Sequence, residues 1–251
     1  MGTSRNRIMT FKRFAVIDEK CAMKIGTDGV MLGAWSRPST ITPNLKIVDI
    51  GSGSGVVALM LAQRFSGASV TAIELEPFAA VQTRENFVTS PFQHQLSCIE
   101  LSFQQWSDEV QNFEADLVVS NPPFFHNKPK SPFYARNLAR HDDALPISDL
   151  FHGVAKILSK EGVFGIVWPV EREADLLSAA KEYHFKLIRR CDILPTKKHA
   201  AVRFLSEFKI VREDLAPATC STIVLETGEE TGRRNFPSEY KMLMKDFFLD
   251  A

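Results

Sequence analysis

Two short stretches carry residue types that could bind and act on a small molecule. Asp49-x-Gly51-x-Gly53-x-Gly55 follows the apolar run Leu45 to Ile50. Closely spaced glycines after a strand let backbone come near a ligand and open the next helix with free N–H groups. The spacing is not the dinucleotide fingerprint, since the third glycine of G-x-G-x-x-G would fall on Val56. A phosphate loop is also absent, because no Gly-Lys-Ser/Thr follows. Glu74 ends the next apolar run roughly twenty residues on, where an acid can bond both hydroxyls of a ribose; Glu76 competes for that role. The second stretch is Ser120-Asn121-Pro122-Pro123-Phe124. Alone it is a stiff turn. After a strand, it falls in the crevice at the carboxyl ends of parallel strands, beside the glycine turn.

The elements that must hold these stretches are legible as a pattern. Strands are predicted at Leu45 to Ile50, Ser69 to Ile73, Leu96 to Leu101, Ala115 to Ser120 and Gly162 to Trp168. Helices are predicted from Val56 to Phe65, from Pro77 to about Phe87, through Leu158 with Ser148 as N-cap, from Glu171 to Tyr183 and from Ser238 to Leu249. Lys186 to Leu194 and Ala201 to Ile210 read as a closing strand pair, and Thr222 to Glu226 as a further short strand. Strands alternating with helices predict an α/β fold, with a doubly wound, mostly parallel sheet of seven strands closed by an antiparallel one. Residues 1–44 are expected to pack as an N-terminal segment on a single domain at 45–251, with Thr27 or Asp28 capping the helix that follows. The long connection from Phe124 to His141 is of a length usually kept for function.

Composition narrows the classes. The chain of 251 residues is 45% hydrophobic and 24% charged, which excludes disorder, collagen and coiled coil. No apolar run approaches the ~18–20 residues of a membrane span, and the first ten residues do not read as a secretory signal. Thirty basic residues balance thirty acidic ones, so a uniformly basic nucleic-acid binder is excluded. The charges are nevertheless segregated. Lys128, Lys130, Arg136 and Arg140 lie in a stretch without acids between Asp116 and Asp142, and Lys186, Arg189, Arg190, Lys197, Lys198 and Arg203 form a second basic run. Each patch can attract a polyanion over about one Debye length, ~8 Å. Cys21, Cys98, Cys191 and Cys220 are scattered with no metal-ligand spacing, which predicts a cytoplasmic, metal-free protein.

With its leading Asp49 and following Glu74, the glycine turn resembles the first motif of the class I methyltransferases dependent on S-adenosylmethionine. The resemblance implies that Asp49, Gly51, Gly53, Gly55 and Glu74 bind that cofactor. It places Ser102, with Phe103 beside it and Glu100 nearby, where the family carries an acid toward the adenine. Asn121 to Phe124 resembles the N-P-P-[YF] subset, which methylates amino or amide nitrogens. An adenine amino group is conjugated with its ring and is a poor nucleophile. The Asn121 side-chain oxygen and the Pro122 carbonyl can each accept one of its N–H hydrogens, so that its lone pair turns toward the methyl donor. Prolines 122 and 123 fix that turn, and Phe124 can stack on the base for about 1–3 kcal/mol. The target must then lie outside a duplex stack.

Lys24-x-Gly26-Thr27-Asp28-Gly29-x-x-Leu32-Gly33-Ala34-Trp35, Ala139-Arg140-His141 and the ending Tyr240-x-x-Leu243-x-x-Asp246-Phe247-Phe248-Leu249 add a narrower resemblance, to the bacterial valine-tRNA adenine-N6 methyltransferases. It implies a tRNA anticodon loop as partner and the adenine 3′ of the anticodon as target; separately, the chain is expected to be a monomer. Lys128, Arg136, Arg140, Lys197 and Lys198 are the candidate RNA contacts, the alternative for Phe124 to Arg140 being a disordered cationic lid. Ribosomal-RNA guanine-N2 enzymes, release-factor glutamine-N5 enzymes and a non-catalytic RNA-binding module are the competing readings.

Overall fold

The computed structural model describes residues 8–122, 145–211, 216–227 and 236–248. The strands are β1 (Ile8–Thr10), β2 (Ala15–Ile17), β3 (Lys46–Ile50), β4 (Ser69–Glu74), β5 (Leu96–Glu100), β6 (Ala115–Ser120), β7 (Leu158–Pro169), β8 (Phe185–Thr196), β9 (Arg203–Ile210) and β10 (Thr219–Glu226). The helices are α1 (Thr27–Trp35), α2 (Val56–Arg64), α3 (Pro77–Val88), α4 (Phe103–Glu109), α5 (Ile147–Ile157), α6 (Glu173–Glu182) and α7 (Ser238–Met244).

The central sheet has the order β10-β8-β9-β7-β6-β3-β4-β5. β9 is antiparallel to both β7 and β8, and the other pairings are parallel. The sheet therefore has eight strands where seven were expected. β10 begins at Thr219, earlier than predicted, and adds a parallel edge to β8.

Apolar residues alternate across the pleat because successive side chains leave opposite faces. Ile47, Leu117 and Val119 join one buried cluster with α1, α2 and α7. Val48, Val118 and Phe164 join the other with α4, α5 and α6. Both faces are covered, as a parallel sheet requires.

Several local readings are corrected. Thr27 and Asp28 lie inside α1; Gly26 is the N-cap and no side chain bonds there. Ser148 is likewise inside α5, whose N-cap is Pro146. Proline cannot donate and holds an extended lead-in, so the helix starts just after it. The stretch predicted from Glu171 breaks into a 3₁₀ turn at Val170–Arg172 before α6. α7 ends at Met244, well before Leu249. The β1–β2 hairpin was not predicted. Its connection, Phe11-Lys12-Arg13-Phe14, closes with Phe11 N–H donating to Phe14 O at 2.8 Å and the two rings stacked 4.4 Å apart. Phe248 stacks on Phe11 at 5.2 Å, so the N- and C-terminal segments meet.

The second basic run is spent mostly on internal pairs. Arg190 bonds Glu173 and Asp192, at 2.5 and 2.8 Å. Arg189 bonds both carboxylate oxygens of Glu207, at 2.6 and 2.7 Å, stacks on Trp35 at 3.6 Å and donates to Trp35 O at 2.9 Å. Arg64 donates to Gly33 O and Ser36 O. Two guanidiniums thus cap the carboxyl end of α1, whose last turn holds no basic residue of its own. Burial and the neighbouring Arg189 lower the pKa of Arg64 to about 10, which still leaves it charged at neutral pH.

Removing one member of a buried ion pair leaves the other charge uncompensated, at a cost of about 3–5 kcal/mol. Glu207 is only 2% exposed. Glu207→Ala is expected to lose about that much stability in urea unfolding, and Glu207→Gln less. A loss below about 1 kcal/mol is the surface-pair value and would show that water screens Arg189.

Candidate active site

The ends of β5, β4, β3 and β6 lie side by side, and the candidate residues leave from them. Asp49 sits one residue before the end of β3, in register with Ala72 of β4 and Val119 of β6. Its carboxylate is buried and accepts the Ala58 N–H at 3.1 Å, which caps the first turn of α2. Gly51, Gly53 and Gly55 all have left-handed backbone, with φ of 68°, 57° and 77°. Any side chain is strained there. A Cβ on Gly55 would also meet the Phe87 ring at 2.6 Å.

The turn's own amides are not free. Gly51 and Ser52 donate to Ile73 O, Gly53 to Glu74 Oε2 at 2.7 Å and Gly55 to Ser52 O. What the turn offers is space: among the described residues, no heavy atom beyond the chain neighbours lies within 4 Å of a Cβ built on Gly51 or Gly53. An anion nest needs spare N–H groups. Four of the turn's amides are already spent and the carboxylates of Asp49 and Glu74 flank it, so it suits a ligand without phosphate and with positive charge.

Glu74 and Glu76 divide their work. Glu76 caps α3 by accepting the Ala79 N–H at 2.7 Å. Glu74 bridges the Gly53 and Glu76 amides and lines a cavity of about 80 Å³ together with Gly51, Leu101, Ser102 and Phe103. Ser102 caps α4 through the Gln105 N–H. The buried Phe103 is at once a wall of this cavity and part of the core. Glu100 pairs with Arg84 at 3.1 Å and does not line the cavity.

Two residues overlooked in the sequence hold the turn from behind. Thr83 Oγ1 donates to Gly53 O at 2.7 Å, and Asn86 Nδ2 donates to Ser54 O and to Ile17 O, each at 2.8 Å. Both are buried on α3. The available signal was two polar residues three apart, on a face also carrying Ala79, Ala80 and Phe87.

Asn121 and Pro122 follow β6 directly, half-buried. Ser120 pairs with Ile50 and its hydroxyl donates to Ile50 O at 3.1 Å, which fastens this turn beside the glycine turn. On the other side of Pro122 lies a cavity of about 370 Å³ bounded by Pro146, Leu150, Trp168 and Arg172. Pro123, Phe124, Lys128, Arg136 and Arg140 lie outside the described residues. Lys197 and Lys198 are exposed at the turn between β8 and β9.

Residues 38–175 match the family model described as the methyltransferase small domain. Curated proteins named tRNA1(Val) (adenine(37)-N6)-methyltransferase are similar over nearly the whole chain. That of Parabacteroides distasonis is 36% identical over 244 residues, 97% of this chain and 98% of its own. That of Trichodesmium erythraeum is 36% identical over 241 residues, 95% of this chain and 96% of its own. The chain belongs to this family of methyltransferases. The fold agrees. A solved structure of a predicted O-methyltransferase from Agrobacterium tumefaciens superposes with a TM-score of 0.68 at 18% identity, covering 88% of this chain and 96% of that one. Among the described residues no cluster of His, Cys, Asp or Glu could hold a metal, and no helix is long and apolar enough to cross a membrane.

In this methyltransferase the buried Asp49 is electrostatically costly. Burial first, then repulsion by Glu74, raise its pKa from 3.8 to about 7, against the Ala58 N–H that lowers it. An acid whose folded pKa is raised binds its proton more tightly folded than unfolded. Folding stability is therefore undiminished below the unfolded value and falls as pH rises toward the folded one. Stability is expected to decline between pH 3.8 and about 7. Asp49→Asn should flatten that decline in urea unfolding, and an unchanged slope would place the titration elsewhere.

Proposed function

We propose that the chain transfers the methyl group of S-adenosylmethionine to the exocyclic N6 of an adenine in tRNA, the adenine 3′ of the anticodon of valine tRNA. The observation that carries this reading is the juxtaposition of the acid-flanked glycine turn with Asn121 and Pro122 across the β3–β6 pair. The names of the relatives supply the nucleoside and the tRNA.

The residues present fit the cofactor. The open space over Gly51 and Gly53 admits its backbone-like amino-acid portion. The Ser52 hydroxyl is buried without a protein partner and can bond it. Glu74 stands where ribose hydroxyls would be held, and the apolar wall of Leu101 and Phe103 suits a purine. Asp49 and Glu74 contribute negative charge matched to a sulfonium and an ammonium. When bound, the cofactor supplies an electrophilic methyl carbon. The chain's own contribution is orientation: the Asn121 carboxamide oxygen and the Pro122 carbonyl accept the two amine hydrogens and favour the pyramidal form, whose lone pair is available. They also stabilise the positive charge that develops on nitrogen.

The cavity beside Pro122 and Trp168 has room for an unstacked base. Phe124 is assigned to stacking on that base. Lys128, Arg136, Arg140, Lys197 and Lys198 are assigned to the RNA backbone. The chain acts as a cytoplasmic monomer without a metal, its residues 1–44 packed on the domain at 45–251.

Incubation with a labelled methyl donor and tRNA lacking the modification should yield N6-methyladenosine, identified by mass spectrometry. Asn121→Ala is expected to lower kcat by about 10²–10³-fold while calorimetry finds cofactor affinity within about twofold. Retained turnover would make Asn121 a turn residue only. Neutralising Lys197 or Lys198 should reduce the slope of log affinity against log salt by about one per lost phosphate contact. An unchanged slope would leave them as solubilising charges.

A further inference from the structure

The motif Lys24-x-Gly26-Thr27-Asp28-Gly29-x-x-Leu32-Gly33 marks the family, yet none of its residues enters the chemistry above. It forms α1, and its place explains its glycines. Gly29 and Gly33 are one helical turn apart. A Cβ on Gly33 would stand 3.0 Å from both Cβ and Sδ of Met60 in α2. A Cβ on Gly29 would stand 3.2 Å from Nδ2 of Asn121, and 3.6 Å from Cγ2 of Val57. The space a side chain at position 29 would need is thus taken by the carboxamide of Asn121.

α1 is held at both ends. Asp28 pairs with Arg203 of β9 at 3.3 Å. At the other end, Arg64 and Arg189 bond the carbonyls of Gly33, Trp35 and Ser36. It is a fixed wall and cannot easily back away from Asn121.

A carboxamide has two ends of nearly equal size and opposite function, one accepting and one donating, and its terminal torsion is broad and roughly two-fold. Only the oxygen end can accept from an amine; the nitrogen end would repel it. We propose that Gly29 is a positioning residue for methyl transfer: its bare Cα lets α1 lie against the amide nitrogen of Asn121, leaving the oxygen as the end that meets the substrate amine. The inference rests on the reading of Asn121 given above. A neighbour pushed by a few tenths of an ångström is a small structural change, but a misplacement of about 1 Å can cost roughly 10²-fold in rate.

The test compares Gly29→Ala, Gly33→Ala and Asn121→Ala in the full chain, with unmodified tRNA as substrate. Gly29→Ala is expected to lower kcat about tenfold or more, scaled from that positional sensitivity. Cofactor affinity and the KM for tRNA should stay within about twofold. Gly33→Ala crowds Met60, away from Asn121, and should lower the melting temperature while keeping kcat per folded molecule. The proposal is overturned if Gly29→Ala keeps its kcat, or if its kcat, cofactor affinity and melting temperature fall together. Should Gly29→Ala not fold, Asp28→Asn decides, because it loosens the start of α1 without adding atoms. A lower kcat with cofactor affinity kept supports the wall, and an unchanged kcat removes it. If Asn121→Ala itself keeps turnover, the reading of Asn121 fails; if Asn121→Ala is inactive and Gly29→Ala is normal, only the role of Gly29 fails.

Discussion

The parallel pairing of β3 with β6 is the constraint on which the rest depends. Register sets Ile50 opposite Ser120, and the Ser120 hydroxyl bonds the Ile50 carbonyl. The residues just past each strand end are the glycine turn and the Asn-Pro pair. A slip of one residue would send Val48 and Val118 to the wrong face of the sheet and part the two turns. The apolar pattern that builds the two cores therefore also sets the distance between the glycine turn and the Asn-Pro turn.

Around that pairing, polar groups are arranged at a cost in stability. Asp49 is buried, and burial, with a smaller repulsion from Glu74, raises its pKa to about 7. A folded state that needed only stability would place an apolar residue there. The backbone of the glycine turn is equally constrained, with three residues in left-handed conformation and their amides committed. Thr83 and Asn86 brace the turn from α3, while Arg64, Arg189 and Glu207 brace α1 from the opposite side. In the proposed reading, this rigid frame lets a neutral amide and a carbonyl orient a weak nucleophile, because such groups act through position and not through acid strength.

Much of this was legible in residue order. β6 was read to the residue, and β3, β4, β5, α2 and α3 within one, because continuous apolar runs bounded by glycine and proline are strong signals; β7 begins four residues before its predicted start. The β1–β2 hairpin was missed because three-residue strands carry almost no periodicity. β10 began earlier than read because the polar Thr219 and Ser221 sit on an exposed edge. The basic run from Lys186 to Arg203 looked like a polyanion surface. In the fold, Arg189, Arg190 and Arg203 instead meet acids distant in the chain, Glu207, Glu173 and Asp28.

Local order along the chain was enough to read the family resemblance, the sheet, the glycine turn and the Asn-Pro turn, since turn chemistry and hydrophobic period are written in neighbouring residues. It could not say which of two acids faces the cavity, that the turn's amides are already bonded, or why position 29 is glycine. Those answers depend on groups tens of residues apart meeting in space. Glu74 was separated from Glu76 by a helix cap, and Gly29 was explained by an amide 92 positions further on, at Asn121.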